Sequence, residues 1–197
     1  VRAILPSLLA LSLACALAAC SGSDGDEEAI EANRKALDAA TIQAFDSVEA
    51  ASIALDGEGL RIVAPRGSGL LLGFGAKRGT VEGLLQNLLE DEPERTINNE
   101  CGAGPMKFTS FGSLTLNFQD GEFVGWLVDE RGKQSTIDGV GIGTTRAEAE
   151  RSRIIEIIDG STLGTEFSSG AINGFLADES ADAPITGLYA GTNCFFR

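Results

Sequence analysis

The chain has 197 residues, with 29 Asp and Glu against 15 Lys and Arg and no histidine. A formal charge of −14 with no compensating basic stripe repels phosphate backbones and anionic lipid, which argues against nucleic acid as a partner. The missing histidine removes the commonest general base, the Ser-His and Cys-His nucleophile pairs, and the commonest transition-metal ligand, so no metal and no cofactor are expected.

Arg2 and an apolar run from Ile4 to Ala19 lead into Leu17-Ala18-Ala19-Cys20. The run is too short and too Ala-rich for a membrane span of ~20 strongly apolar residues, and its layout is that of a secretory signal. Leu-Ala-Ala-Cys resembles the lipobox of bacterial lipoproteins. That resemblance implies that residues 1–19 are a signal peptide, that cleavage leaves Cys20 first, and that Cys20 is acylated. The membrane is then reached through acylated Cys20, since two or more acyl chains anchor stably at ~0.8 kcal/mol per buried CH₂. An Asp after the cysteine implies inner-membrane retention in that family, so Ser21 implies the outer membrane, with the chain facing the periplasm. An ordinary secretory signal or an uncleaved anchor helix are the other accounts of these residues. Val1 reads as a non-AUG start or a truncated beginning.

Loss of residues 1–19 removes one cation, Arg2, and makes the remainder one unit more acidic. With Cys15 gone and Cys20 acylated, Cys101 and Cys194 remain. An exported chain with two cysteines most simply joins them. The chain-entropy model gives such a loop ~4–5 kcal/mol. The alternatives are two free thiols, or a zinc site that lacks two further ligands.

Residues 20–29 are small and acidic, as a solvated tether is. Residues 30–56 are Ala-rich, with Ile30, Leu37, Ile42, Phe45 and Val48 sparsely spaced, and read as a weakly amphipathic helix ended by Asp56-Gly57-Glu58-Gly59. Strands are expected over Leu60–Phe74. The rest reads as two units, residues 57–133 and 134–197. Gly73–Glu82 matches Gly141–Glu150 at both glycines, the arginine and the final glutamate, and Phe118–Glu130 matches Phe167–Glu179 at Phe, Gly, Gly, Leu, Asp and Glu. The register between the two matches changes by 19 residues, which places an insertion around Cys101 in the first copy. Val81, Leu84, Leu85, Leu88 and Leu89 recur at helical spacing, and Pro93 ends that helix. Thr145 and Glu148 form a capping-box pattern at a second, shorter helix, and Ile154–Ile158 reads as a strand. Hairpins are expected about Asp120-Gly121 and Ser169-Gly170, with a last strand at Ile185–Ala190. The expected fold is therefore α+β, an N-terminal helix followed by two tandem helix-plus-antiparallel-meander units.

The Gly141-Ile142-Gly143-Thr144-Thr145-Arg146 helix entry and the strand–Asp-Gly–strand hairpin resemble the tandem repeats of β-lactamase-inhibitor proteins and of small outer-membrane-assembly lipoproteins of the BamE/SmpA type. The resemblance spans roughly residues 70–195 and rests on pattern.

Chemistry-bearing motifs are few. The Gly67–Gly75 and Gly139–Gly143 stretches lack dinucleotide-loop spacing and a phosphate-loop lysine; tight turns into helices account for them. Asp129-Glu130 and Asp178-Glu179 show no calcium-loop spacing and read as solvated strand ends. Arg78 and Arg146 start helices, where the macrodipole disfavours a cation. They are candidate partner-binding residues, or ion-pair partners of Glu82 and Glu150. Trp126 and Tyr189 are either exposed binding anchors or core aromatics. Serine hydrolysis is unsupported without a G-x-S-x-G context. The expectation is an outer-membrane-anchored periplasmic lipoprotein that is not an enzyme, a binding or envelope-assembly module for an envelope protein partner. A carboxylate-dependent hydrolase of envelope sugars and a purely structural envelope lipoprotein are the alternatives.

Overall fold

The computed structural model describes residues 51–65, 69–89 and 91–195. Cys20, the expected tether and residues 30–50 of the expected helix lie outside them. The chain from residue 51 opens as a meander: β1 (Ser52–Asp56), β2 (Gly59–Val63) and β3 (Gly69–Gly73). Helix α1 (Arg78–Leu89) follows. Next come β4 (Glu94–Asn98), β5 (Met106–Phe111), β6 (Leu114–Gln119), β7 (Glu122–Val128) and the two-residue β8 (Ser135–Thr136). A single turn, α2 (Arg146–Ala149), precedes β9 (Glu156–Ile157), β10 (Thr165–Ser169), β11 (Ile172–Leu176) and β12 (Ile185–Gly191).

These strands make two sheets. The smaller has the order β3-β2-β1-β8, with β8 parallel to β1. The larger has eight antiparallel strands in the order β4-β5-β6-β7-β12-β11-β10-β9. The meanders β4–β7 and β9–β12 thus meet through their last strands, Tyr189 opposite Leu127 and Ala190 opposite Trp126.

The fold is not the expected α+β: the described residues are mostly β, with twelve strands in two sheets and helices of only twelve and four residues. Three local differences account for it. Ser52–Asp56, assigned to the helix over 30–56, is a strand, because Asp56-Gly57 turns the chain into a hairpin with Leu55 facing Leu60 instead of ending a helix. The stretch around Cys101, read as an insertion, holds β4 and β5, which extend the larger sheet. The second helix is a single turn, although its capping box forms as read: Thr145 Oγ1 accepts from Glu148 N–H, and the Glu148 carboxylate accepts from Thr145 N–H at 3.0 Å.

One continuous apolar cluster joins both sheets and α1. The small sheet contributes Leu55, Leu60, Ile62 and Leu72, and α1 contributes Val81, Leu84 and Leu85. The β6–β7 hairpin contributes most of the large rings. Its turn needs positive φ at both central residues, and Asp120 (50°) and Gly121 (81°) supply it. A register shift at Asn117/Phe118 pairs Phe118 with Phe123 and Leu116 with Trp126. Phe123 and Trp126, three residues apart, therefore share the core face, which regular alternation forbids.

The other face of the larger sheet is crossed by residues 192–195. Thr192 N–H donates to Val124 O at 2.7 Å, and Asn117 Nδ2 donates to Thr192 O at 2.8 Å and Asn193 Oδ1 at 2.7 Å. The tail passes so close to β7 that any Cβ at Gly125 would run into the Thr192 carbonyl oxygen, and only glycine fits there.

Candidate functional site

Arg78, at the first turn of α1, is held by an ion-pair cluster. Its Nε donates to Glu82 Oε1 at 2.7 Å, its Nη2 to Thr109 Oγ1 at 3.0 Å, and its guanidinium lies 5.2 Å from the centre of the Phe118 ring. Arg95 on β4 closes on the other Glu82 oxygen at 2.9 Å, and Thr109 donates to Oε1 at 2.5 Å. Burial works to raise the Glu82 carboxyl, but hydrogen bonds from Arg95, Thr109 and Arg78 outweigh it and hold it at about 2. The cluster staples α1 to the β4–β5 edge, the ion-pair role that the spacing of Arg78 and Glu82 allowed.

A pH dependence follows from the sign of that shift. A carboxyl depressed in the folded state adds stability above its ordinary value near 4.5, and the gain is lost as pH falls from there through about 2. Full protonation removes up to about 3 kcal/mol, less where salt screens the exposed Arg95 arm. Urea melts between pH 5 and 2 are expected to show this fall, and Glu82→Gln to flatten it (about 3 units of pH). A fall of equal steepness in Glu82→Gln would contradict the assignment.

Arg146 is placed likewise at the start of α2: Nε donates to Glu150 Oε1 at 2.8 Å and Nη1 to Glu179 O at 2.8 Å. Neither arginine is left as an unpartnered cation. The paired acids at the strand ends also have local tasks. Asp129 Oδ1 accepts from Arg131 N–H at 2.9 Å and Asp178 Oδ1 from Ser180 N–H at 2.7 Å, so both cap turns that leave a strand.

The two candidate anchors are core residues. Trp126 is fully buried, and its Nε1 donates to Asp56 O at 2.9 Å, tying β7 to β1. Tyr189 is 7% exposed. Its hydroxyl donates to Glu166 Oε1, while Ser161 Oγ donates to Oε2 at 2.6 Å. A fully buried Glu166 is a feature that alternation alone would assign to the solvent side of β10, since the sequence carries no sign that Tyr189 and Ser161 converge on it. Among the described residues, no group of three or more His, Cys, Asp or Glu side chains gathers as a metal site.

Cys101, after β4, and Cys194, after β12, are joined, with Cα atoms 5.5 Å apart across a separation of 93 residues. Asn98 Nδ2 lies 3.6 Å from the Cys194 sulfur. The bond fastens the tail where it delivers Phe195 onto the sheet. Phe195 meets Phe175 edge-on at 5.7 Å between centroids and Tyr189 at 4.9 Å, and Phe175 meets Tyr189 at 5.5 Å.

Two open clefts flank this framework. One, of about 460 Å³, lies where the β1–β2 turn approaches the β10–β11 turn, and both of its arginines are paired, Arg61 with Asp56 and Arg153 with Asp138. The other, of about 510 Å³, opens where β7, β11, β12 and the tail meet, between Leu127, Phe175 and Phe195, with Asp129, Glu130 and Arg131 on its rim. Neither Phe175 nor Phe195 stood out in the sequence, because a ring delivered by a folded-back tail leaves no periodic signal.

No family model, curated protein or solved structure matches this chain.

Proposed function

We propose that the chain is an envelope lipoprotein, anchored in the outer membrane through acylated Cys20 and facing the periplasm, whose β unit is a non-catalytic binding or envelope-assembly module. The observation that carries this reading is Leu17-Ala18-Ala19-Cys20 behind an apolar run and ahead of an acidic stretch. The Cys101–Cys194 bond supports it, since such bonds persist in oxidising compartments outside the cytoplasm. The ion pairs support it as well. Glu82, the Asp138 carboxyl that Arg153 holds well below its usual range, and Asp56 are each tied to arginine, an arrangement that suits scaffolding better than proton transfer. The duplication read from the sequence belongs to this proposal, supported by the two meanders and by the matching Arg78–Glu82 and Arg146–Glu150 pairs.

Metabolic labelling with a clickable palmitate analogue tests the anchor. The wild-type chain is expected to take the label and fractionate with outer membrane, and Cys20→Ala to lose both. Label retained in Cys20→Ala, or a wild-type chain without label, overturns the reading.

A further inference from the structure

We propose that the cleft between β7, β11, β12 and the tail binds a small organic ammonium ion, held by the rings of Phe175 and Phe195 and the carboxylate of Glu130. The two rings stand at 89° to one another and form an aromatic corner. Gly187 also lines the cleft, and a Cβ there would come within 3.1 Å of the Phe175 ring and press on that wall. An aromatic face attracts a cation through its quadrupole, most strongly when the cation is poorly hydrated, as an alkylammonium is.

The rim charges set the sign. Arg131 also reaches the cleft, but Asp129 accepts from its Nη2 at 2.5 Å and its Nε at 3.2 Å, so that pair is closed on itself. Glu130 accepts no hydrogen bond or ion pair among the described residues, and it is exposed on the rim. Among the described residues the rim therefore carries a net charge of −1, Asp129 and Glu130 against Arg131, beside two aromatic walls. At about 510 Å³ the cleft holds far more than a bare metal ion, and among the described residues no group of three or more metal-ligating side chains gathers there. The strongly acidic chain draws cations towards it over longer range. An anion meets Glu130 and the negative faces of two rings, and a neutral apolar molecule gains nothing from the carboxylate.

The site gives the binding module a ligand class, and in that sense rests on the preceding reading. Its test has a separate readout. Saturation-transfer NMR on the full-length chain in a maltoside detergent compares choline with its neutral carbon isostere, 3,3-dimethylbutan-1-ol. Each carries a single intense methyl signal of equal proton count. The choline methyl signal is expected to exceed that of the isostere by about threefold or more, the size of a part-exposed cation–π contact. Phe195→Ala and Glu130→Gln are each expected to bring it down to the isostere level. Glu130 is exposed, so its variant folds whatever becomes of the tail. Equal signals for the two probes, or a choline signal unmoved by both substitutions, overturns the proposal. Cys20→Ala is expected to give the wild-type choline signal, so failure of the anchor and failure of the cation site are told apart.

Discussion

Trp126→Ala is expected to lower the free energy of unfolding by about 3–5 kcal/mol, a large part of what holds a domain of this size together. The ring is fully buried in the cluster that joins the two sheets, opposite Leu116 of β6 in the strand register. Removing it leaves a cavity that the strands cannot close, since β7 is fixed by β6 on one side and β12 on the other. The indole also donates to the Asp56 carbonyl where β1 ends. Trp126→Phe keeps most of the volume and loses that bond, which costs about 1–2 kcal/mol as the loss of one buried hydrogen bond. The expected order is therefore wild type, Trp126→Phe, Trp126→Ala, read from urea melts by far-ultraviolet dichroism. Fluorescence is unsuitable, because Trp126 is the chain's single tryptophan. Equal losses for the two variants would assign the whole effect to the hydrogen bond, and losses below about 1 kcal/mol would mean that Trp126 is not the joint between the sheets.

The features legible in the sequence were those set by neighbours along the chain. The Asp120-Gly121 turn, the Val81-Leu84-Leu85 stripe of α1 and the Thr145–Glu148 capping box all form, because each depends on residues within a few positions. Features set by distant partners were misread. Ala54 and Leu55 sit in a strand because Arg61 and Leu60 pair with them across a turn, and alanine's helix propensity is too weak to resist. Strand β4 has four of its five residues exposed and lies at a sheet edge, so it carries no apolar alternation to announce it. The candidate site divides in the same way. Arg78 and Glu82 were visible as an i,i+4 pair, whereas Arg95 and Thr109, which complete the cluster, come from strands that the sequence reading had as an insertion. The aromatic corner needs Phe175 and Phe195 brought together by a chain reversal after Gly191, and only the pair of cysteines hinted at that reversal.

Removing the Cys101–Cys194 bond, by reductant or by the Cys101→Ser/Cys194→Ser double variant, is expected to cost about 4–5 kcal/mol in the chain-entropy account. The size follows from the separation of 93 residues, which takes in every strand from β5 to β12. At the urea slopes of small proteins this moves the midpoint down by about 2 M or more. The double variant is the cleaner form, because it leaves no thiol to pair elsewhere. The loss divides into two parts that can be separated. The entropic part acts on the unfolded chain and appears in the global melt. The local part acts on the tail, which keeps Thr192 N–H on Val124 O and the Asn117 bonds but loses its fastening beyond Asn193. The Phe195 ring should therefore lose the ring-current shifts of its contacts with Phe175 and Tyr189 in NMR spectra while the β6–β7 amides stay protected from exchange, and the aromatic corner should open. A double variant that melts with the wild type, or a Phe195 ring whose shifts do not move, would contradict a fastening role for this bond. A global loss with an unchanged tail would mean that the aromatic contacts alone seat Phe195, and that the ammonium site survives reduction.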